Sequence, residues 1–155
     1  MQISTHTENS RNPAKGREFE ALCKELLEAY YRNAFETRAK RIGKPPTEHK
    51  FDLVSADWKY AAECKCYAWT KGNNIPSAKR AMLNEAILHL SLLPKKIEKF
   101  IILPKATRST HEETLAHYFA RLHRHLLKPF SIQVLEVDVN RRKMTKVILK
   151  PDQTS

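Results

Sequence analysis

Two short apolar segments carry charged residues at places where a buried strand normally has none. The first segment, residues 50–54, has Asp52 between two apolar side chains. The second, residues 60–67, has Glu63 and Lys65 among alanine, cysteine and tyrosine residues. Because side chains alternate across a strand, Glu63 and Lys65 point to the same face. Charged residues are seldom buried unless they are paired or bind a metal. The two segments therefore predict neighbouring strands that share a functional site.

The length and charge of the chain limit what surrounds this site. A chain of 155 residues with 41% hydrophobic content is most simply one domain, and we predict a flexible tail at residues 1–12 and a single domain at 13–150. Its net charge of +11 favours a polyanionic partner, nucleic acid before an acidic membrane surface. The plain alternative is a solvated basic surface. No apolar run approaches the roughly 18 residues of a membrane span, so no membrane insertion is predicted.

The cysteines indicate a reducing environment. Cys64 and Cys66 lie two positions apart on one predicted strand, so both point away from the face of Glu63. A disulfide between them would break the geometry of the strand. We therefore expect reduced thiols in the core, and with no signal-peptide pattern at the N-terminus we predict a cytoplasmic protein.

Hydrophobic periodicity predicts the order α-β-β-β-α-β, followed by α-β-β, which is typical of a mixed sheet with helices on its faces. The first helix begins at Pro13, with Asn12 as its N-cap. A capping-box pattern at residues 109–112 predicts the start of the third helix. The other predicted elements are strands at 34–42, 50–54, 58–69, 100–103, 131–139 and 144–150, and a helix at 77–93.

A carboxylate on the first helix is a further candidate for the site. Gly16 interrupts the first turn of that helix, although glycine costs about 1 kcal/mol there relative to alanine, and this favours close approach of another group. Glu20 lies one turn later, at the edge of the apolar stripe, from which it can reach a site beside the sheet. The alternative is an ordinary solvated glutamate.

This ordered set of residues resembles the PD-(D/E)xK nuclease superfamily. The pattern consists of Gly-Arg-Glu-Phe-Glu at residues 16–20, then Asp52, then Glu-Cys-Lys at residues 63–65. In the family, a helical glutamate, a strand aspartate and an acid-x-lysine triplet occur in this order. The resemblance covers residues 13–103 and implies a restriction-endonuclease-like αβββαβ core with a central mixed sheet flanked by helices. A C-terminal helix and a β-hairpin would be added to it. One departure is Phe51, which replaces the proline before the aspartate.

The resemblance implies a Mg²⁺-dependent nuclease, with Mn²⁺ as a substitute. Asp52 and Glu63 would bind the metal together with the backbone carbonyl of Cys64. Lys65 would orient or deprotonate the attacking water, and Glu20 would bind a second metal or a metal-bound water. The most direct version is an endonuclease of the restriction, repair or recombination type that acts on double-stranded DNA as a homodimer.

Other interpretations remain open at this point. Glu63 and Lys65 can form a cross-strand pair on a solvent-facing sheet, and Asp52 can begin a turn. The chain can also be a non-catalytic nucleic-acid-binding module of the same fold within a larger complex, or a structural or membrane-surface protein that uses its charge alone. Tyr67 and Trp69 share the predicted face of Glu63. For these two side chains, core packing is a simpler role than base stacking.

A group of basic residues is expected near the site from the predicted topology. Such side chains can contact phosphates, which adds affinity without reading the base sequence. For each one taken singly, a solvated surface residue is an equal alternative. The nucleic-acid-binding candidates are Lys15, Arg17, Lys44, Lys50, Lys71, Lys79 and Arg80.

Overall fold

The computed structural model describes residues 13–70, 77–108 and 112–151. Within these residues, six strands form one sheet in the order β1-β2-β3-β4-β5-β6, accompanied by four α-helices. The elements are α1 (Pro13–Tyr31), β1 (Phe35–Ile42), β2 (Thr47–Ser55), β3 (Tyr60–Cys64), α2 (Ser77–Ser91), β4 (Glu98–Pro104), α3 (Leu115–Leu122), α4 (Arg124–Leu127), β5 (Ile132–Asp138) and β6 (Lys143–Lys146).

The sheet is mixed, as the sequence predicts. Strand β4 pairs in parallel with both β3 and β5, whereas the β1–β2, β2–β3 and β5–β6 pairs are antiparallel. Each parallel pair needs a crossover connection, which α2 supplies between β3 and β4, and α3 with α4 supplies between β4 and β5. The predicted αβββαβ order, the central mixed sheet flanked by helices and the added C-terminal helix and hairpin are thereby confirmed.

Two hydrophobic clusters cover the two faces of the sheet. Helix α1 packs on one face through Phe19, Leu22, Cys23 and Leu27, and we call this side the α1 face. Helices α2 and α3 pack on the other, which we call the α2 face. Strand β4 contributes to both, because alternate side chains of its apolar run belong to the two clusters and are fully buried. This is the expected pattern for a strand covered on both sides.

Strand β3 is shorter than predicted. It ends at Cys64 rather than continuing to residue 69. The Lys65 N–H still bonds to the carbonyl of Ile102 at 3.0 Å, but the Lys65 carbonyl accepts a bond from the Tyr67 N–H, also at 3.0 Å. The next parallel ladder bond would need an N–H at Pro104, which proline lacks. The chain therefore turns away from the sheet directly after Lys65.

The third helix also differs from the prediction. Helix α3 begins at Leu115 with Thr114 as its N-cap, not at the predicted capping box, of which residues 109–111 lie outside the described part. The Thr114 hydroxyl accepts a hydrogen bond from the His117 N–H at 3.3 Å. The helix is interrupted at His123 and resumes as the short α4. Leu126, which lies on α4 after this break, is exposed.

Smaller differences concern helix ends and the chain termini. On α2 the buried stripe begins at Leu83, so Ala78 and Met82 are exposed although the periodicity predicted them as buried. The predicted tail, the N-cap Asn12 and Lys71 all lie outside the described residues. None of the helices seen in the described ranges combines the length and the apolar character needed to cross a membrane.

Candidate active site

The β2–β3 hairpin has a closed end, where the turn joins Ser55 to Tyr60, and an open end, where the strands separate near Asp52 and Glu63. The two strands pair through Leu53–Ala62 and Val54–Ala61. Two residues further along β3, the Cys64 N–H bonds to the Asp52 side chain, with 2.8 Å between the nitrogen and Oδ2. A carboxylate thus takes the place of a backbone ladder bond, and the strands separate where the predicted acidic residues lie.

A β-bulge produces this arrangement. The step from Glu36 to Arg38 on β1 spans two positions, while the facing step from Val54 to Phe51 on β2 spans three. Phe51 and Val54 consequently belong to the same hydrophobic cluster on the α2 face. The extra residue changes the direction of the side chains between them, which include Asp52. Bulges next to active sites commonly have this effect.

Glu63 is the most strongly perturbed acid of the site. Only 3% of the residue is exposed, and its Oε1 lies 2.8 Å from Nε2 of His49. Burial, followed by repulsion from Asp52 and a hydrogen bond between the two carboxyl groups, raises the pKa of Glu63 to about 9, and the ammonium of Lys65 only partly offsets this. The two carboxyl groups therefore favour holding a shared proton, or a cation in its place.

Glu20 reaches the same group of charges from α1. Burial and repulsion from Asp52 raise the pKa of Glu20, while a hydrogen bond with the Thr37 hydroxyl and attraction to Lys65 act in the opposite direction. Glu20 also lines a surface cleft of about 260 Å³, together with Arg17 and other residues of α1 and β1. A charged helix residue at the edge of a cleft is accessible to a ligand.

The structure therefore brings together all of the predicted catalytic residues. Lys65, half-buried directly after β3, interacts electrostatically with Glu20 and Glu63, and Asp52 interacts with the same two acids. This proximity is a precondition for the predicted roles. The roles themselves remain predictions.

The predicted phosphate-binding residues do not all lie at this site. Arg17 lines the cleft beside Glu20. Lys15 and Lys79 lie near Cys66. Burial raises the pKa of Cys66, and these two cations lower it. The others are spread over the surface: Lys50 is exposed on β2, Lys44 is exposed in the turn between β1 and β2, Arg80 is exposed on α2, and Lys71 is outside the described residues.

The aromatic and cysteine side chains of this segment serve the core. Tyr67 is buried and its hydroxyl lies 3.3 Å from the sulfur of Met82. The indole N–H of Trp69 donates to the carbonyl of Ala106 at 3.0 Å. A hydrogen bond with the thiol of Cys23, together with burial, raises the pKa of Cys64. All three cysteines are free thiols. The packing interpretation is confirmed, and Cys64 lies on the α1 face behind Glu63.

Two histidines at the site were missed by the sequence prediction. The ring of His49 on β2 lies against the ring of His89 on α2, with centroids 3.8 Å apart and planes inclined by 31°. Strand β2 begins at Thr47, so alternation puts His49 on the face of Phe51, whereas the predicted strand began at residue 50. His89 follows the buried Ala86 by three positions, a spacing that keeps both on one side of α2.

The charge state of His49 is set by its surroundings. Burial lowers its pKa first, and repulsion from His89 and Lys65 lowers it further, while Asp52 and Glu85 raise it. The net shift is downward from 6.5, so the imidazole is neutral at neutral pH. A neutral imidazole is the form that binds metal ions.

The comparisons with known proteins identify the fold. No protein-family model and no curated protein matches the chain. Among solved structures, an XisH family protein from Nostoc punctiforme PCC 73102 is 15% identical, with a TM-score of 0.51 over 84% of this chain and 98% of that chain. An fdxN element excision controlling factor protein from Anabaena variabilis is 17% identical, with a TM-score of 0.49 over the same shares. The chain is therefore similar in fold to the XisH family protein over nearly the whole length of that protein.

Proposed function

We propose that this chain is a metal-dependent nuclease of the PD-(D/E)xK superfamily, most simply a DNA endonuclease. The observation that supports it best is the meeting of Glu20, Asp52, Glu63 and Lys65 at the open end of the β2–β3 hairpin. Burying carboxyl groups beside each other destabilises a fold unless a cation or proton neutralises them. Strongly perturbed acids beside a cleft are characteristic of functional sites.

The donor atoms fit a hard divalent cation. Asp52, Glu63 and Glu20 offer carboxylate oxygens, and the Cys64 carbonyl is a further candidate because it belongs to the strand residue whose N–H bonds to Asp52. Mg²⁺ prefers such oxygen ligands, and Mn²⁺ accepts them as well. When bound, the ion would neutralise charge on a phosphate and lower the pKa of a bound water.

The remaining residues of the site have separate tasks in phosphodiester hydrolysis. The ammonium of Lys65 would hold the attacking water by a hydrogen bond and offset the negative charge that develops on the phosphate oxygens. Thr37 lines the cleft beside Glu20, and its hydroxyl donates to the backbone carbonyl of Asp52 at 2.9 Å. The carboxylate of Glu20 would bind a further water or ion there.

Several properties favour DNA as the substrate. The net charge of +11 suits a polyanion, and Arg17 and Lys24 flank Glu20 in the cleft, where they can contact phosphates. One site cuts one strand, whereas a two-fold dimer presents two sites to antiparallel strands, so we propose a homodimer. The free thiols are consistent with action in the cytoplasm.

Nicking of supercoiled plasmid in the presence of Mg²⁺ or Mn²⁺ tests the proposal. We expect Asp52→Asn to abolish nicking, while the affinity for double-stranded DNA, measured by fluorescence anisotropy, changes by less than about threefold because the phosphate contacts remain. The asparagine oxygen can still accept the Cys64 N–H, so the fold should be kept.

The matched control is Asp57→Asn, an exposed carboxylate at the closed end of the same hairpin, which should nick like the wild type. If the wild type binds DNA but cuts neither supercoiled nor linear DNA with either ion, the chain is instead a non-catalytic DNA-binding module.

A further inference from the structure

Glu63 faces residues that the proposed nuclease chemistry does not use. On β3 the side chains alternate, so that Ala61 packs on the α2 face and Ala62 on the α1 face. Glu63 therefore points to the α2 face, where His49 and His89 lie. Glu20, by contrast, comes from α1 on the opposite side.

The three side chains are close enough to share an ion. One potential ligand atom from each of His49, Glu63 and His89 lies within 4.8 Å of the other two, and the contact between His49 and Glu63 is 2.8 Å. In a tetrahedral site, Zn–N and Zn–O bonds of about 2.0–2.2 Å place two ligand atoms about 3.3–3.6 Å apart. Small side-chain rotations would bring the set into bonding range.

We propose that His49, Glu63 and His89 bind one transition-metal ion of the Zn²⁺ class, at a site that shares the Glu63 carboxylate with the oxygen-donor site of Asp52. Two imidazole nitrogens and one carboxylate oxygen form a ligand set found at catalytic zinc sites, and imidazole also suits copper, iron and nickel. Mg²⁺ prefers oxygen donors, so it would not compete well for this set.

The surroundings of the two histidines favour access by an ion. About a quarter of each side chain is exposed, 26% for His49 and 24% for His89, while Glu63 is buried beneath them. The His89 Nε2 atom lies 3.8 Å from the Glu85 carboxylate, which is beyond hydrogen-bonding distance. Glu85 is also positioned to orient His89 once the ring binds a metal.

Glu63 is the residue through which the two donor sets would influence each other. An ion on the histidine side would hold Glu63 deprotonated and directed to the α2 face. The assignment does not depend on nuclease activity, because metal binding is measured directly. Asp52→Asn separates the two proposals: it should abolish nicking and leave binding of the transition metal in place.

The test is titration of the metal-free full-length chain with Co²⁺, followed by visible absorption, and with Zn²⁺, followed by calorimetry. Both are done in excess Mg²⁺. We expect one equivalent to bind, and we expect His49→Ala and His89→Ala each to weaken the affinity by at least about 100-fold, more than an outer-sphere change usually causes. His125→Ala, which removes an exposed histidine on α4, should bind like the wild type.

The controls make each result decisive. Circular dichroism confirms folding, and His89→Gln replaces His89→Ala if the alanine variant is unfolded. The proposal is overturned if the wild type binds Co²⁺ and Zn²⁺ no more tightly than the His89 variants. It is equally overturned if His125→Ala loses as much affinity, because the ions would then be held by scattered surface histidines.

Discussion

The two ends of the β2–β3 hairpin treat buried polar groups in opposite ways. At the closed end, Ser55 is fully buried, and its hydroxyl donates to Asp57 at 2.8 Å and accepts from the Tyr60 N–H at 3.0 Å. Asp57 also accepts from the Lys59 N–H at 3.1 Å, and these bonds lower its pKa. The polar groups of this turn satisfy one another and so stabilise the hairpin.

At the open end the same strands bring together two carboxyl groups whose simultaneous ionisation the surroundings do not fully stabilise. Glu63 is buried against Asp52, and its raised pKa shows that its ionised form is unfavourable there. Lys65 offsets only part of this effect. The hydrogen-bonded polar groups at the closed end thus stabilise the fold, whereas the crowded carboxyl groups at the open end favour binding of a proton or a cation. Active sites commonly sacrifice stability in this way.

Removal of the Lys65 side chain should impair catalysis at the open end without affecting the stability of the closed end. We expect Lys65→Ala to lower the single-turnover nicking rate by about 10²–10⁴-fold, because both water orientation and charge stabilisation are lost. The melting temperature should change little, since the residue lies half-buried at the end of β3. Lys59→Ala at the closed end is the control. Equal rates for the two variants would contradict the proposed role.

Replacement of Glu63 should change how stability depends on pH. Its folded-state pKa of about 9 lies above its ordinary value of 4.5, so the folded state keeps a proton that the unfolded state loses between these values. Stability therefore falls as the pH rises through this window, by up to about 1.4 kcal/mol per pH unit. Glu63→Gln cannot ionise and should remove this slope.

Urea unfolding in a chelator at several pH values measures the effect. The advantage of Glu63→Gln over the wild type should grow as the pH rises from the ordinary value of 4.5 to about 9. A difference that stays constant over this range would show that Glu63 is already ionised in the folded chain. Added Mg²⁺ should stabilise the wild type more than the variant, because the variant lacks the charged ligand.

Ser55→Ala should affect stability alone. It leaves the Tyr60 N–H without its side-chain acceptor at a fully buried position, which costs about 1–3 kcal/mol in the free energy of unfolding. Nicking under conditions where the variant is folded should be unchanged. Ser91→Ala, which removes a hydroxyl bonded to the Leu88 carbonyl at the end of α2, should cost less because that site is exposed. If folded Ser55→Ala lost activity, the closed end would contribute to catalysis at the open end, which would contradict this prediction.

Arg17→Ala should give the smallest effect. Without this guanidinium in the cleft beside Glu20, one phosphate interaction is removed, which should weaken DNA binding a few-fold and reduce the salt dependence of log K by about one. Anisotropy titrations at several salt concentrations measure both. Arg121→Ala is a suitable comparison, because Arg121 is already paired with Glu113 at 2.9 Å. If both variants keep the wild-type slope, the cleft does not contact phosphate.

Which parts of the site can be predicted depends on how far apart in the sequence the interacting residues lie. Charged residues inside apolar segments can be recognised from the sequence alone, because side-chain alternation along a strand is a local property. Asp52, Glu63 and Lys65 were found in this way. Helical period likewise placed Glu20 at the edge of its stripe. The bulge at Asp52 was not predictable, because it depends on pairing with β1 and on the Cys64 N–H across the hairpin.

The fold shows the same division. The six strands and their order along the chain follow from local periodicity and turn residues. The end of β3, by contrast, is determined by Pro104, on a strand far along the chain. His89 escaped notice because its partner His49 belongs to another element, and only the packing of α2 on the sheet brings the rings together. Contacts of this kind are encoded in tertiary structure rather than in spacing.

The hydrogen bond from Cys64 to Asp52 makes one backbone amide a built-in reporter. An amide proton bonded to a carboxylate has a chemical shift that responds to the charge on that carboxylate. Because this amide donates to Oδ2 of Asp52 at 2.8 Å, its nitrogen and proton resonances should move when a cation binds there. A two-dimensional NMR spectrum of isotopically labelled protein would then follow occupancy of the oxygen-donor site without a substrate and without any substitution.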